Sequence, residues 1–313
     1  IAADEGFALA HAGLARILQI HARVPEAKAA MARAVELAAG TSRREQSHIA
    51  VFNELITGKP PAALALTRAH VAEWPRDAMV VTPACGVFGL IGFSGLAGRE
   101  AEQLAFLDPL ARHYGDDWWF RTVHGFAQVE VGDIARATAN LERALEVFPR
   151  NANAAHIRAH VYYENGEPAA GLSFIKAWSP GYGKEGPMHC HISWHEAIWS
   201  MEQGDAARAW AIYRDHLHPG GSWGPPINTL TDAASFLLRV ELLGETRKPE
   251  LWRGVSDYAA KLFGGTGVAF AAVHCALAHA MAGDGEALAK CVESARGPAG
   301  DVVKALSDGF GAF

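Results

Sequence analysis

The sequence has few cysteines and no long apolar run. Its four cysteines are Cys85, Cys190, Cys275 and Cys291, and no two stand in CxxC spacing. Scattered thiols exclude a disulfide-stapled miniprotein and predict a reduced, cytoplasmic protein. No uncharged apolar stretch reaches the roughly 18 residues of a membrane span, and charged residues near the start do not fit a signal peptide. We therefore expect no membrane partner.

Positive charge and the common catalytic motifs are also scarce. The chain has 28 basic and 34 acidic side chains and a net charge of -6, with no basic cluster. Counterion release then contributes little, so nucleic acid is not an expected partner. HExxH and a P-loop are absent, which excludes the enzyme classes that depend on them.

A helical repeat is present. The segment from Trp118 to Pro149 matches the tetratricopeptide pattern, with small residues where two antiparallel helices approach, a turn glycine, and a proline where the second helix ends. These positions are Gly125, Gly132, Ala137, Leu141, Ala144 and Pro149. The match predicts helical hairpins stacked side by side.

The turn glycine recurs along the whole chain at intervals of 34 to 40 residues, at Gly58, Gly98, Gly132, Gly166, Gly204, Gly244 and Gly283. A weaker pair of helices is expected at Asp4–His21 and Pro25–Ala39. The segment Ala78–Gly92 is expected to be a bent first helix despite Pro83 and several glycines. The fold prediction is a single all-α domain spanning residues 1–313, a tetratricopeptide-like right-handed α-α superhelix of about eight helical hairpins curled around a central cavity.

The register of the repeat assigns inward-facing side chains. The first helix of each hairpin lines the concave side, and its predicted ligand-binding residues are aromatic or histidine: His48, Phe88, Trp119, Phe126, Tyr163 and Trp194. An apolar lining with a few polar groups is typical of a small-molecule pocket. A groove for a peptide and a purely structural interior are the alternatives.

Two histidine pairs stand out. His156 and His160 are four residues apart on one predicted helix, and His191 and His195 repeat the spacing on the corresponding helix of the next hairpin, so each pair shares a helix face. The four imidazoles are expected to converge, with Glu164 nearby. His156, His160 and His191 are candidate acid–base catalysts.

Two other interpretations of these histidines are open. They could ligate a transition metal at His156, His160, His191 and His195, or they could form a buried polar network that needs no metal. Cys190 stands between two histidines and is a candidate thiolate nucleophile, although neighbours on a helix point about 100 degrees apart.

Two long connections interrupt the repeats, at Ser179–Met188 and His218–Pro226. Insertions in a repeat protein tend to cluster on the face that covers a binding site. These segments are therefore expected to form a lid over the cavity, with the side chains of Tyr182 and Trp223 closing it. Simple variation in loop length is the alternative.

The middle of the chain resembles the tetratricopeptide repeat protein 38 family. The resemblance rests on the run from Asn153 to Gly166, with its paired histidines and Glu164 before the glycine, and on His191-Ile-Ser-Trp194-His195. It covers residues 115–220 most clearly. The resemblance implies that these residues act together and implies no particular reaction.

Two functions follow from these observations. The first is binding of a small or medium ligand in a histidine- and aromatic-lined cavity, with catalysis by a histidine acid or base as an extension. The second is a scaffold that binds a partner protein or peptide on its concave face. The oligomeric state is open.

Overall fold

The computed structural model describes residues 1–265, 268–295 and 297–312. Within these ranges the regular structure is helical and no strand occurs, as the repeat pattern predicts. The chain divides into two compact units, Ile1–Val161 and Tyr162–Phe313. The single domain over residues 1–313 stays a prediction.

The first unit consists of successive helical hairpins. Its helices are α1 (Ala8–Ile20), α2 (Val24–Leu37), α3 (Arg43–Ile56), α4 (Pro60–Glu73), α5 (Ala78–Val81), α6 (Arg99–Leu107), α7 (Ala111–Tyr114), α8 (Trp118–Glu130) and α9 (Ile134–Val147). The helix α10 (Ala152–Glu164) begins in this unit and ends in the second.

The second unit continues the same pattern. Its helices are α11 (Pro168–Trp178), α12 (His189–Glu202), α13 (Ala206–Ile212), α14 (Pro226–Leu242), α15 (Pro249–Phe263), α16 (Ala269–Ala282), α17 (Gly285–Ser294) and α18 (Gly297–Ala312). Helix α13 runs into a π-helical turn at Tyr213–Leu217. Aspartates accept hydrogen bonds from backbone amides at the start of α13 and α17, which fixes where these helices begin.

The seven predicted turn glycines are confirmed. Each has a positive φ, from 69° to 98°, in the left-handed region that a side chain disfavours. The first hairpin lacks such a glycine, which explains its weak repeat signal. There the turn uses Ala22 at φ 59°, and the two predicted helices are present with slightly different ends.

The expected helix over Ala78–Gly92 is wrong. The α-helix ends at Val81, and the chain continues through a 3₁₀ turn at Thr82–Ala84 and irregular backbone to a second 3₁₀ turn at Gly92–Ser94. Pro83 restricts the residue before it and cannot donate a helical hydrogen bond, and the glycines that follow favour the unfolded chain. The hairpin closed by Gly98 therefore lacks a regular first helix.

Small residues set the spacing between paired helices. In the first unit, a Cβ on Gly125 would lie 3.1 Å from the Leu141 side chain, so glycine lets α8 and α9 approach closely. In the second unit, a Cβ on Gly171 would lie 2.5 Å from Trp199. Apolar side chains fill the space between helices in both units. Across the described residues, none of the helices combines the length and apolar character of a membrane span.

Candidate functional site

The most distinctive polar contact of the second unit joins His191 on α12 to Asp232 on α14. The Nδ1 atom of His191 donates to Oδ1 of Asp232 over 2.8 Å, and the carboxylate is buried. The histidine side chain keeps 25% of its surface exposed. Burial by itself would lower the pKa of His191, but the charge of Asp232 and this hydrogen bond outweigh burial and raise it. Asp232 therefore fixes the tautomer of His191 and stabilises its cationic form.

Aromatic rings surround His191. Trp194 stacks on the imidazole with centroids 5.5 Å apart and planes 3° apart, and the edge of His195 meets both rings at 5.0 Å. The guanidinium of Arg239 lies 5.6 Å from the Trp194 ring. The indole Nε1 of Trp194 is buried and has no hydrogen-bond acceptor within the described ranges. The site thus combines an oriented imidazole, a cation and an unsatisfied donor.

Cys190 is buried beside this site. Its Sγ lies 3.6 Å from Oδ2 of Asp232, and Ser222 and Thr229 also contact the thiol. Burial raises the pKa of Cys190 well above its usual range, and the nearby carboxylate raises it further. The thiol is therefore neutral near pH 7, which is opposite to what the thiolate hypothesis for Cys190 requires.

The other histidine pair lies on α10. The Nε2 atoms of His156 and His160 are 2.8 Å apart and their rings are perpendicular, so one imidazole donates to the other. This contact confirms that the two side chains share one helix face. Tyr163 and Glu164, at the carboxyl end of α10, are exposed. The convergence of all four histidines, and the metal ligation it would allow, stay predictions.

His48 belongs to a separate buried cluster in the first unit. Its Nδ1 lies 3.4 Å from Oδ2 of Asp77, and Nε2 of His70 donates to the same oxygen over 3.2 Å. Ser47 donates to Nδ1 of His70 over 2.9 Å, and Arg44 lies 3.6 Å from the carboxylate. Burial would raise the pKa of Asp77, but the histidine contacts outweigh burial and lower it strongly. This cluster joins α3, α4 and the start of α5.

The remaining predicted wall residues lie in different surroundings. Trp119 packs on Tyr114 with ring centroids 5.6 Å apart, and Phe126 is buried in the core between α8, α9 and α10. Phe88 is 46% exposed in the irregular segment and contacts Phe93. The residues that a single unit brings together are His156 with His160, and His191 with Trp194 and His195.

The first long connection of the second unit, 179–188, packs against the helix that precedes it. Tyr182 packs on Trp178 at 5.3 Å, and its hydroxyl accepts a hydrogen bond from the Met188 amide. Trp223 is 68% exposed. Tyr182 therefore fastens its own loop, and the lid that Tyr182 and Trp223 would form stays a prediction.

Sequence reasoning missed Asp232 and Asp77. Asp232 stands in an otherwise apolar and neutral helical stretch, and a single acidic residue in such a helix indicates a buried partner. Asp77 carries no comparable signal, because it follows a proline turn where polar residues are ordinary.

Comparison with known proteins identifies the type of fold. A scan of protein-family descriptions finds no match. Among solved structures, PilF of Pseudomonas aeruginosa is 15% identical with a TM-score of 0.45, covering 66% of this chain and 88% of that one. A monomeric mutant of IFIT1, solved with Gppp-AAAA, is 10% identical with a TM-score of 0.50, covering 97% of this chain and 72% of the other. The fold is a tetratricopeptide-like assembly of helical hairpins.

Proposed function

We propose that this protein binds a small ligand carrying a hydrogen-bond acceptor at the site formed by His191, Trp194 and Asp232, and that His191 exchanges a proton with it. The hydrogen bond from His191 to the buried carboxylate of Asp232 carries the proposal. A carboxylate on one ring nitrogen fixes the imidazole and stabilises its cation, which is how proteins prepare a histidine for acid–base work. The opposite nitrogen, Nε2, would be the proton-transfer atom.

The surroundings favour an anionic or strongly polar ligand with a flat body. The buried Nε1 of Trp194 offers a donor, and leaving it unsatisfied costs about 1–3 kcal/mol, which a ligand acceptor would recover. Arg239 adds a positive charge beside the same ring. A carboxylate or a phosphate ester attached to an aromatic body fits these groups.

The test is a ligand screen on the intact chain. We expect some aromatic carboxylates or phosphate esters to bind and to raise the midpoint temperature of thermal unfolding. His191→Gln and Asp232→Asn should each weaken the best binder at least about tenfold, the loss expected for one charge-assisted hydrogen bond. His21→Gln, which changes an exposed histidine of the first unit, is the matched control. Unchanged affinity in both site variants would reject the proposal.

The same screen separates other ligand classes. IFIT1 was solved with Gppp-AAAA, so a short capped oligonucleotide belongs in the set although the net charge of -6 disfavours nucleic acid.

The scaffold alternative predicts a co-purifying protein instead of a small ligand. Exposed apolar side chains on the first hairpin, including Ile17 at 57%, favour that alternative, and Ile17→Lys should then release the partner. We also propose that the chain belongs to the tetratricopeptide repeat protein 38 family, which it resembles in sequence.

A second candidate function is binding of a transition metal by the histidine pairs. Each of His156, His160, His191 and His195 offers one ring nitrogen as a ligand. The 2.8 Å between Nε2 of His156 and Nε2 of His160 would have to widen to about 3.3 Å, the separation of two nitrogens on a tetrahedral zinc ion. The two donors therefore fit a metal after a small side-chain movement.

Elemental analysis of protein purified without a histidine tag tests the metal. We compare His156→Gln/His160→Gln with His191→Gln/His195→Gln. If both pairs hold one ion, either double variant should remove all of it. If each pair acts separately, each variant should remove only its own share. Metal below about a tenth of an equivalent in the unaltered protein, under conditions that retain bound metal, would reject this function.

A further inference from the structure

A third histidine pair lies in the second unit and includes neither His191 nor Asp232. Nε2 of His189 lies 3.2 Å from Nδ1 of His216, and the ring planes make an angle of 72°. His189 is the first residue of α12 and follows the connection 179–188. His216 lies in the π-helical turn Tyr213–Leu217 and precedes the connection 218–225. The pair therefore joins the bases of both long loops.

A hydrogen bond to a backbone carbonyl oxygen fixes the orientation of the His189 ring. Its Nδ1 lies 3.1 Å from the carbonyl oxygen of Tyr182, and because a carbonyl only accepts, Nδ1 carries the proton. In the neutral ring, Nε2 then presents its lone pair toward His216. A backbone carbonyl on the far ring nitrogen is one of the usual partners that orient metal-binding histidines.

The distance between the two facing nitrogens also suits a metal. Two nitrogens bound to one tetrahedral zinc ion at about 2.0–2.1 Å lie about 3.3 Å apart. The observed 3.2 Å needs almost no rearrangement. A π-helical turn is rare and is frequent at functional sites, and here it carries His216.

Burial, more than any neighbouring charge, favours the neutral form of both imidazoles. Burial lowers the pKa of His189 and of His216, and Lys184 lowers both further, while Glu185 opposes the effect at His189 and Asp215 opposes it at His216. The ammonium of Lys184 donates a hydrogen bond to the backbone carbonyl oxygen of Asp215 over 2.6 Å. Neutral imidazoles are the form that binds metal ions.

We propose that His189 and His216 bind a divalent transition-metal ion of the zinc class and that this ion clamps the two long loops together at their bases. The ion takes the position of the proton between Nε2 of His189 and Nδ1 of His216, and water completes its coordination. The proposal is independent of the ligand site at His191 and of the metal candidate on the other two histidine pairs.

Zinc titration against a chromophoric chelator tests the site, using the full chain in the His156→Gln/His191→Gln background so that the other histidine pairs do not contribute. We expect His189→Gln and His216→Gln each to weaken zinc binding at least about tenfold. His218→Gln, a change in the same region outside the pair, should leave the affinity unchanged. Circular dichroism and the thermal midpoint establish that each variant is folded.

Hydrogen exchange tests the clamp separately. Zinc should slow amide exchange in residues 179–188 and 218–224, and this protection should disappear in both variants of the pair. Equal zinc affinity in the variants would overturn the site. Zinc binding that depends on both histidines without slower exchange in the two loops would overturn the clamp. Loss of ligand binding at His191 has no bearing on either result.

Discussion

The two units each contain a buried aspartate bonded to histidine, but the histidines differ in exposure. In the first unit, Asp77 meets His48 and His70, and His70 is completely buried. In the second unit, Asp232 meets His191, which keeps 25% of its side chain exposed. The same chemical pair can therefore be fully enclosed by packing in one place and stay partly open to solvent in another. The exposure of the imidazole makes the difference.

The largest expected effect concerns stability. Asp77→Ala should lower the free energy of unfolding by about 3 kcal/mol, because it leaves two buried imidazoles without their acceptor. Asp232→Ala should cost about 1–2 kcal/mol, since the partly exposed His191 can turn to water for its lost hydrogen bond. Urea unfolding followed by circular dichroism measures both values. Asp257→Ala, at an exposed position, should change stability by less than about 0.5 kcal/mol. An equal cost at Asp77 and Asp232 would mean that the exposure of the imidazole does not set the energetic role of the aspartate.

The dependence of stability on pH should show Asp77 directly. Its pKa is lowered in the folded state, so its contribution is complete above the unfolded pKa of about 4 and is lost as the pH falls through the lower folded value. We therefore expect the difference between the natural protein and Asp77→Asn to be constant from about pH 5 to 7 and to shrink below about pH 4. Urea midpoints across this range are the measurement. A difference that grows on acidification would contradict the assignment.

Asp232 should control the titration of His191. Removing its charge with Asp232→Asn should lower the pKa of His191, because the charge and hydrogen bond of Asp232 outweigh burial there. Carbon-detected NMR of the histidine rings in metal-free protein measures the pKa of His191. The His191→Gln variant identifies the His191 signal. Asp257→Asn should leave the titration of His191 as it is. No change in Asp232→Asn would mean that the contact has no electrostatic role.

The smallest expected effect is on Cys190. Because burial and Asp232 both raise its pKa, the thiol should react with iodoacetamide at least about tenfold more slowly than glutathione at pH 7.5. Asp232→Asn should increase the rate a few-fold while the thiol stays buried. Peptide mass spectrometry measures the modified fraction over time. Fast modification in the natural protein would restore Cys190 as a candidate nucleophile.

The hairpins could be predicted because their signals are local. Gly132 and its counterparts mark turns within a few residues, and the left-handed backbone they need is a property of the glycine itself. The pairing of His156 with His160 was predictable for the same reason, since four residues make one helical turn. The failure at Ala78–Gly92 has a local cause as well, because Pro83 and the glycines after it outweigh the apolar pattern.

The partners of the histidines could not be predicted in this way. Asp232 is 41 residues from His191, and Ser47 is 23 residues from His70, so neither contact leaves a mark on helical periodicity. Phe126 shows the same limit: its register suits a concave wall, and packing buries it in the core between helices. The register says which side of a helix a residue is on, but the neighbouring helices determine whether water or a ligand can reach it.

The amino-acid order is sufficient to establish a chain of helical hairpins and the residues at its turns, because helix formation and glycine turns depend on interactions within a few residues. Packing between helices establishes which carboxylate meets which imidazole and how much of that imidazole stays exposed. Those contacts join residues far apart in the chain, and their electrostatic effect depends on burial, which only the folded arrangement creates.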